Sequence, residues 1–232
     1  MKQFRFILPV AVILFMTACN NSPKPAAVAP AADTATAKPS LTPYKAMMVM
    51  HTVKDFAAWL PAFESSDSLR TAAGLSNAGV GQGLDNDKLV VVFTMASDLQ
   101  KAKDFSTSDA LKKAMSNSGV TSAPTISFLN VLRDDTSTIP QQERIMITHH
   151  VKDFATWLKG FDAEGIAARS AYGIVDRALA QNADDPNTVT LLFAITDMAK
   201  LKARLASPDM KKIMTDAGVD GPPTITFFKW VK

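Results

Sequence analysis

The apolar and polar positions of the chain follow one pattern that occurs twice. Residues 53–57 and 151–155 both read Val-Lys-Asp-Phe-Ala, and His51 and His149 stand two positions before them. The two segments are 98 residues apart, and beyond one inserted residue the spacing becomes 99. The later matches keep the same order: Arg70 and Arg169, Gly74 and Gly173, Ser108 and Ser207, Phe128 and Phe227. Ordered matches over so long a stretch indicate a duplication.

Each copy begins with the pattern of a strand followed by a helix. Short apolar runs at residues 45–51 and 145–149 favour a first strand. Asp55 and Asp153 are candidate N-caps of the first helix. Behind each of them apolar residues recur at i, i+3, i+4 and i+7: Phe56, Trp59, Leu60 and Phe63, then Phe154, Trp157, Leu158 and Phe161. Gly74 and Gly173 are expected to end these helices in the left-handed conformation.

In the second part of each copy, the sequence predicts a second strand, a turn, a third strand, a second helical region and a last strand. The third strand is strongly apolar, at residues 89–95 and 189–195. The helical region covers residues 98–116 and 197–215 and is expected to break near residues 106–108 and at Pro208. The last strand is predicted at residues 125–132 and 224–231. Each copy therefore has the order βαββαβ.

A sheet with two helices on one face leaves its other face uncovered. The last strands alternate Thr or Ser with Ile or Phe, as a sheet with two different faces requires. Two such sheets in one chain can bury their open faces against each other. The predicted fold class is α+β, with tandem βαββαβ units at residues 44–133 and 144–232 that pair sheet to sheet.

Two motifs carry a family resemblance. His-x-Val-Lys-Asp-Phe-x-x-Trp opens the first helix of each copy, and Gly-Val-x-x-x-Pro precedes each last strand. In these segments the chain resembles the dimeric α/β-barrel superfamily, whose ferredoxin-like units pair sheet to sheet. The resemblance implies an intramolecular barrel. The superfamily includes cofactor-independent monooxygenases of antibiotic biosynthesis, haem-degrading and haem-binding enzymes, isomerases, cyclases and ligand-sensing modules, so the fold alone implies no single activity.

The N-terminus indicates export. Lys2 and Arg5 precede an apolar stretch at residues 6–16, which is typical of a signal peptide and too short for a stable membrane span. Met16-Thr17-Ala18-Cys19 resembles the lipobox of bacterial lipoproteins, which implies a signal peptide at residues 1–18 and lipidation of Cys19. Residues 19–43 then form an Ala- and Pro-rich tether. The resemblance implies anchoring in the bacterial cell envelope, at the outer membrane and facing the periplasm.

Composition narrows the function classes. Without Lys2 and Arg5 the chain has 23 basic and 22 acidic residues, and no basic run follows a predicted helix, so nucleic-acid binding is not expected. Cys19 is the only cysteine, which excludes disulfides within one molecule and paired-cysteine metal or redox sites. Neither a metal nor another cofactor is predicted.

The candidate catalytic residues are His51, His149 and His150. If the strand phase directs the first two inward, their imidazoles approach each other across the barrel and act as general acid or base, or as metal or haem ligands. The alternative is that each histidine caps a helix turn or meets solvent.

Arg70, Arg169 and Arg177 are the candidate ligand-binding residues. The first two lie late in the first helix, where a cation suits the helix C-terminus, or they reach the barrel mouth and hold an anion. Asp176 and Arg177 align with Asn77 and Ala78, so the two copies differ there.

The expected function is that of a lipid-anchored small-molecule binding or scaffolding module of the cell envelope. Its partners are the lipid bilayer, through acylated Cys19, and a small apolar or aromatic ligand. The alternative is a cofactor-independent monooxygenase-like or haem-binding barrel enzyme that uses the strand-one histidines.

Overall fold

The computed structural model describes residues 43–232, all of which belong to one compact unit. The predicted signal peptide, Cys19 and nearly all of the tether lie outside the described residues. Within residues 43–232, none of the helices combines the length and the apolar character needed to cross a membrane.

Both repeats have the predicted order of elements. The first repeat contains β1 (Tyr44–Thr52), α1 (Phe56–Ser65), α2 (Asp67–Ala72), β2 (Leu75–Gly83), β3 (Leu89–Ala96), α3 (Leu99–Thr107), α4 (Asp109–Asn117) and β4 (Thr125–Asp134). The second contains β5 (Glu143–Val151), α5 (Phe154–Ala171), β6 (Ile174–Asn182), β7 (Thr188–Ile195), α6 (Met198–Leu205), α7 (Pro208–Asp216) and β8 (Val219–Trp230).

The eight strands close into one barrel in the order β1-β3-β2-β8-β5-β7-β6-β4. The repeats join at two antiparallel junctions, β2 with β8 and β4 with β6. At the first junction Gly81 pairs with Trp230, and at the second Ala180 pairs with Val131. These pairs occupy equivalent positions of the repeat, so the two junctions share one register. The fold is the predicted intramolecular dimeric α/β barrel.

Three apolar cores hold the barrel together. Two lie between the sheet and the helices, one in each repeat, around Trp59 and Trp157. The third lies in the lumen and takes residues from both repeats: Ala46, Met48, Val91, Leu129 and Val131 from the first, and Met146, Ala180 and Phe228 from the second. The predicted burial of the two open sheet faces against each other is confirmed.

The local signals for helix ends are confirmed as well. The side chains of Asp55 and Asp153 each accept a hydrogen bond from the backbone N–H three residues on, at 2.7 and 2.8 Å. Gly74 has φ 73°, a conformation that a residue with a Cβ rarely adopts. The second helical region breaks where predicted, at Ser108 in the first repeat and before Pro208 in the second.

Two expectations need correction. The first helix is not continuous, because α1 and α2 are separated at Ser66, and α5 is kinked at Gly165, where φ is 78° and ψ is 157°. When the two repeats are aligned, the break falls where the second repeat has one inserted residue. The last strand of the second repeat begins at Val219 instead of residue 224, because Val219 already pairs with Val151. It ends at Trp230, one residue before the predicted end.

Candidate functional site

The second repeat contains a cavity of about 370 Å³ between its helices and the outer face of the sheet. Its walls are mostly apolar and come from β5, β7, α5, α6 and α7, with Ile147, Trp157, Phe161, Leu191, Phe193, Leu201, Met210 and Met214 among the lining residues. A volume in this range is typical of pockets for small organic molecules.

His149 lines this cavity and is almost fully buried, with 6% of its surface exposed. It follows Ile145 and Ile147 on β5, and strand alternation places all three on the helix side of the sheet. The imidazole lies edge-on to Trp157, with ring centroids 5.4 Å apart. Neither ring nitrogen has a hydrogen-bond partner among the described residues. Burial lowers the pKa of His149 to about 4, so the ring is neutral at pH 7.

His51 has the same surroundings in the first repeat. Its ring is 5% exposed, lies 5.6 Å from Trp59 and has no partner at either nitrogen within the described chain. Burial lowers its pKa to about 4 too. The cavity beside it, however, measures only about 60 Å³. The two repeats therefore share one buried histidine–tryptophan pair, but only the second leaves substantial space next to it.

The difference in volume follows from substitutions between the repeats. Phe105 lines the small cavity, and its equivalent in the second repeat is Arg204. The Arg204 guanidinium lies over the Tyr172 ring, 4.4 Å from the centroid, and pairs with Asp209 at 2.9 Å. The aromatic ring that fills the first cavity is thus replaced by a side chain whose charged end is held at the rim.

A second substitution acts in the same direction on α5. Gly160 lines the large cavity, and its equivalent, Ala62, lines the small one. A Cβ added at Gly160 would meet no atom within 4 Å, so the helix surface faces open space there.

The histidines do not meet across the barrel. His51 and His149 both point away from the lumen, so the hypothesis of two imidazoles that approach each other inside it is wrong. Neither caps the following helix, since Asp55 and Asp153 do. His150 occupies the next position on β5 and is exposed, 3.8 Å from Asp185 and 3.9 Å from Asp220. It does not line the cavity.

Arg70 and Arg169 bridge the breaks in the first helix. Each guanidinium donates to a backbone carbonyl on the other side of the break, Phe63 O and Phe161 O, at 2.7 Å in both repeats. Each also lies over the ring of that phenylalanine, at 3.8 and 3.9 Å from the centroid. Arg169 further pairs with Asp176 at 2.6 Å. These contacts are structural, and they occupy the cations that were candidates for anion binding.

Arg177 holds the segment that connects the repeats. It pairs with Asp135 at 3.3 Å and donates to Ser137 O at 2.6 Å. The asymmetry at Asp176 and Arg177 thus reflects ion pairing with α5 and with the connecting segment. Sequence reasoning did not identify Arg204, Tyr172 or Gly160, although the mismatch of Phe105 and Arg204 in the repeat alignment was a usable signal.

Haem does not fit this cavity well. His149 offers a neutral imidazole with free nitrogens, as an axial ligand requires. A porphyrin with two propionates, however, needs more than about 370 Å³ and cations free to pair with carboxylates. Arg169 and Arg204 already pair with Asp176 and Asp209. Elsewhere in residues 43–232, no three His, Cys, Asp or Glu side chains gather as a metal site would require.

Comparisons with known proteins agree with the fold. The chain is similar to a structure of the putative chlorite dismutase TA0507, with a TM-score of 0.55 and 12% identity over 82% of this chain and 96% of that one. An anthrone oxidase-like protein has a TM-score of 0.54 and 14% identity over 82% and 92%. A putative monooxygenase from Lactobacillus acidophilus NCFM has a TM-score of 0.52 and 15% identity over 81% and 94%.

No family model and no curated protein matches the sequence. The structural similarity indicates a shared fold, the dimeric α/β barrel. At identities this low it shows the fold alone, and fold does not determine chemistry.

Proposed function

We propose that the protein binds a small, largely apolar molecule in the cavity of its second repeat, with His149 as the polar partner. The supporting observation is that both ring nitrogens of His149 are buried and unpartnered beside a cavity of about 370 Å³. A buried polar atom without a partner costs about 1–3 kcal/mol. A ligand hydroxyl or carbonyl that bonds the imidazole removes that cost.

The walls define the rest of the ligand. Trp157, Phe161 and Phe193 supply aromatic surfaces, and methionines from α7 supply adaptable ones. The two arginines that line the cavity, Arg169 and Arg204, are each paired with a carboxylate, so a strongly anionic ligand meets no uncompensated positive charge. The ligand class is therefore a compact aromatic or alicyclic molecule with one oxygen function.

The test uses 2-naphthol as the probe and calorimetry as the measurement. His149→Phe keeps an aromatic ring against Trp157 but removes both nitrogens. We expect it to weaken binding about tenfold, the value of one hydrogen bond to a buried polar group. The matched control is His51→Phe, which makes the same change beside the small cavity and should leave the affinity unchanged. Equal affinities in all three proteins would contradict the proposal.

A second candidate is a cofactor-independent oxidation in the same cavity. It is favoured by one observation, a buried imidazole beside a tryptophan with no partner at either ring nitrogen, which leaves a nitrogen lone pair available to a proton of a bound substrate. One protein of similar fold is described as anthrone oxidase-like. The test is oxygen uptake with anthrone. Oxygen uptake by the wild-type protein that disappears in His149→Phe would support the proposed oxidation. No oxygen uptake by the wild-type protein would refute it.

We also propose that Cys19 anchors the protein to the cell envelope through attached acyl chains. A residue that carries more than one chain gives stable membrane attachment, whereas a single chain gives marginal binding. Radiolabelled palmitate should enter the wild-type protein and not Cys19→Ser. Equal incorporation into both would show that the label is attached elsewhere.

A further inference from the structure

A second cavity lies inside the barrel, on the opposite side of the sheet from His149. It measures about 190 Å³ and is lined by both repeats, with Tyr44, Phe93, Leu129, Val131, Ala180 and Trp230 among its walls. Neighbouring residues of β7 separate the two spaces, because Leu191 lines the helix-side cavity and Leu192 lines the lumen. The lumen is therefore packed over most of its length but not at the end where β1 begins.

The cavity results from unequal filling of the two junctions between repeats. At the β2–β8 junction, aromatic rings lie against glycines: a Cβ added at Gly81 would lie 2.2 Å from the Phe228 ring, and one at Gly79 would lie 3.1 Å from the Trp230 ring. A side chain at Gly81 would collide with the Phe228 ring, and one at Gly79 would require the Trp230 ring to shift slightly. That junction is closed by two large rings.

At the β4–β6 junction the equivalent positions carry smaller residues. Leu129 stands where Phe228 does, and Val131 stands where Trp230 does. Ala178 and Ala180 replace the two glycines but do not make up for the lost rings. The space that Trp230 fills at one junction consequently stays open beside Val131 at the other.

The walls of the lumen cavity indicate the chemistry of its occupant. Aromatic faces come from Tyr44, Phe93 and Trp230, and a thioether comes from Met95. Among the described residues that line it, Asp134 alone is charged, and it accepts a hydrogen bond from the Tyr44 hydroxyl at 2.7 Å. An apolar cavity of roughly 150 Å³ is large enough to bind benzene or xenon.

We infer that the lumen is a second ligand site, which takes one small uncharged molecule of about the size of a single aromatic ring. It is independent of the site proposed around His149, because the sheet separates the two. The Tyr44–Asp134 hydrogen bond marks its polar edge. The mostly apolar walls favour an uncharged ligand, because burying a charge there carries a desolvation cost.

The test locates benzene and xenon in the protein and in variants that fill the lumen. Val131→Phe places a ring where the other junction has Trp230, and Ala180→Val is a smaller change that serves if the first does not fold. In the wild-type protein we expect a xenon site between Val131 and Trp230 in pressurised crystals, and saturable benzene-induced shifts of the Ala180 amide resonance. Val131→Phe should remove the xenon site, and either variant should weaken benzene binding at least tenfold.

His149→Phe is the matched control, since it alters only the helix-side cavity and should leave the lumen site unchanged. Failure of 2-naphthol to respond to His149→Phe, with xenon still in the lumen, would refute the first proposal and leave this one standing. The lumen site is refuted if xenon is absent from it in the wild type, or if benzene binds the folded filling variants as tightly as the wild type.

Discussion

Trp230 lies directly opposite Gly81 where β8 meets β2, and the absence of a side chain at Gly81 leaves room for the aromatic rings of β8. The equivalent pair at the other junction is Val131 and Ala180. The backbone register is the same in both places, so the duplicated halves have kept their geometry and changed their side chains. The packing at each junction therefore depends on the sizes of the two paired residues, Gly81 with Trp230 at one and Ala180 with Val131 at the other.

Gly81→Ala should destabilise the protein by about 1–3 kcal/mol, because the new methyl group overlaps the Phe228 ring. Phe228→Leu relieves that overlap and copies Leu129 of the first repeat. In a double-mutant cycle measured by urea unfolding, we expect the pair to cost less than the two single changes added together. Strict additivity would show that the ring does not restrict position 81.

Stability should fall as the pH is lowered from 7 to 5. His51 and His149 have folded-state pKa values of about 4, below the ordinary value of 6.5, so the unfolded chain takes up protons first. Their contribution is fully present above pH 6.5 and is lost as the pH falls towards 4. The expected loss by pH 5 is about 2 kcal/mol for each histidine. The double variant His51→Phe with His149→Phe should show a flatter pH dependence. An unchanged slope would mean that folding does not lower the pKa values of the two rings.

Arg169→Gln should destabilise the protein more than Arg70→Gln does. Both changes remove the bond across the helix break, but only Arg169 has a partly buried carboxylate partner, Asp176, which would be left without its cation. Asp67, the partner of Arg70, is largely exposed and gains little from pairing. We expect a difference of about 2 kcal/mol in chemical unfolding. Equal losses would assign the stabilisation to the carbonyl bond alone.

Arg204→Phe should close the cavity of the second repeat, since it places at position 204 the phenylalanine that the first repeat has at the equivalent position 105. We expect the affinity for 2-naphthol to fall at least tenfold while thermal stability stays the same or rises, because the carboxylate of Asp209, the partner in the lost ion pair, is largely exposed. Arg204→Lys keeps the charge without adding a ring and serves as the control. Retained affinity in Arg204→Phe would place the ligand elsewhere.

Haemin should cause no Soret shift that depends on His149. The cavity is small for a porphyrin, and the arginines on its rim are paired. Titration of the wild-type protein and of His149→Phe with haemin, followed by absorbance in the Soret region, should give superimposable spectra. A shift confined to the wild type would reinstate haem as a ligand.

The fold was largely predictable because its signals are local and repeated. Asp55 and Asp153 mark helix starts through side-chain geometry, and the alternation in the last strands marks two sheet faces. The duplication then supplied the partner for the open face. The helix break near Ser66 and Gly165 was not predicted, because a single inserted residue gives no periodic signal of its own.

The candidate site was predictable only in part. His51 and His149 were singled out by residue type, but their short apolar strands suit either sheet face, so periodicity alone could not assign the direction of the rings. The arginines were open to an anion-binding role until the structure showed their carboxylate and carbonyl partners. Arg204 was not predicted as a site residue, because it matters through the absence of the aromatic ring that Phe105 supplies at the equivalent position.

Covalent linkage of the two halves has a consequence for stoichiometry. In a barrel made from two identical chains, every substitution occurs twice, so both pockets open or close together. Here one chain has Phe105 in its first half and Arg204 in its second. The pocket of the first half is therefore closed while the pocket of the second half stays open. Occupancy beside His149 should therefore follow a simple hyperbola, with one equivalent per chain and no cooperativity between paired sites.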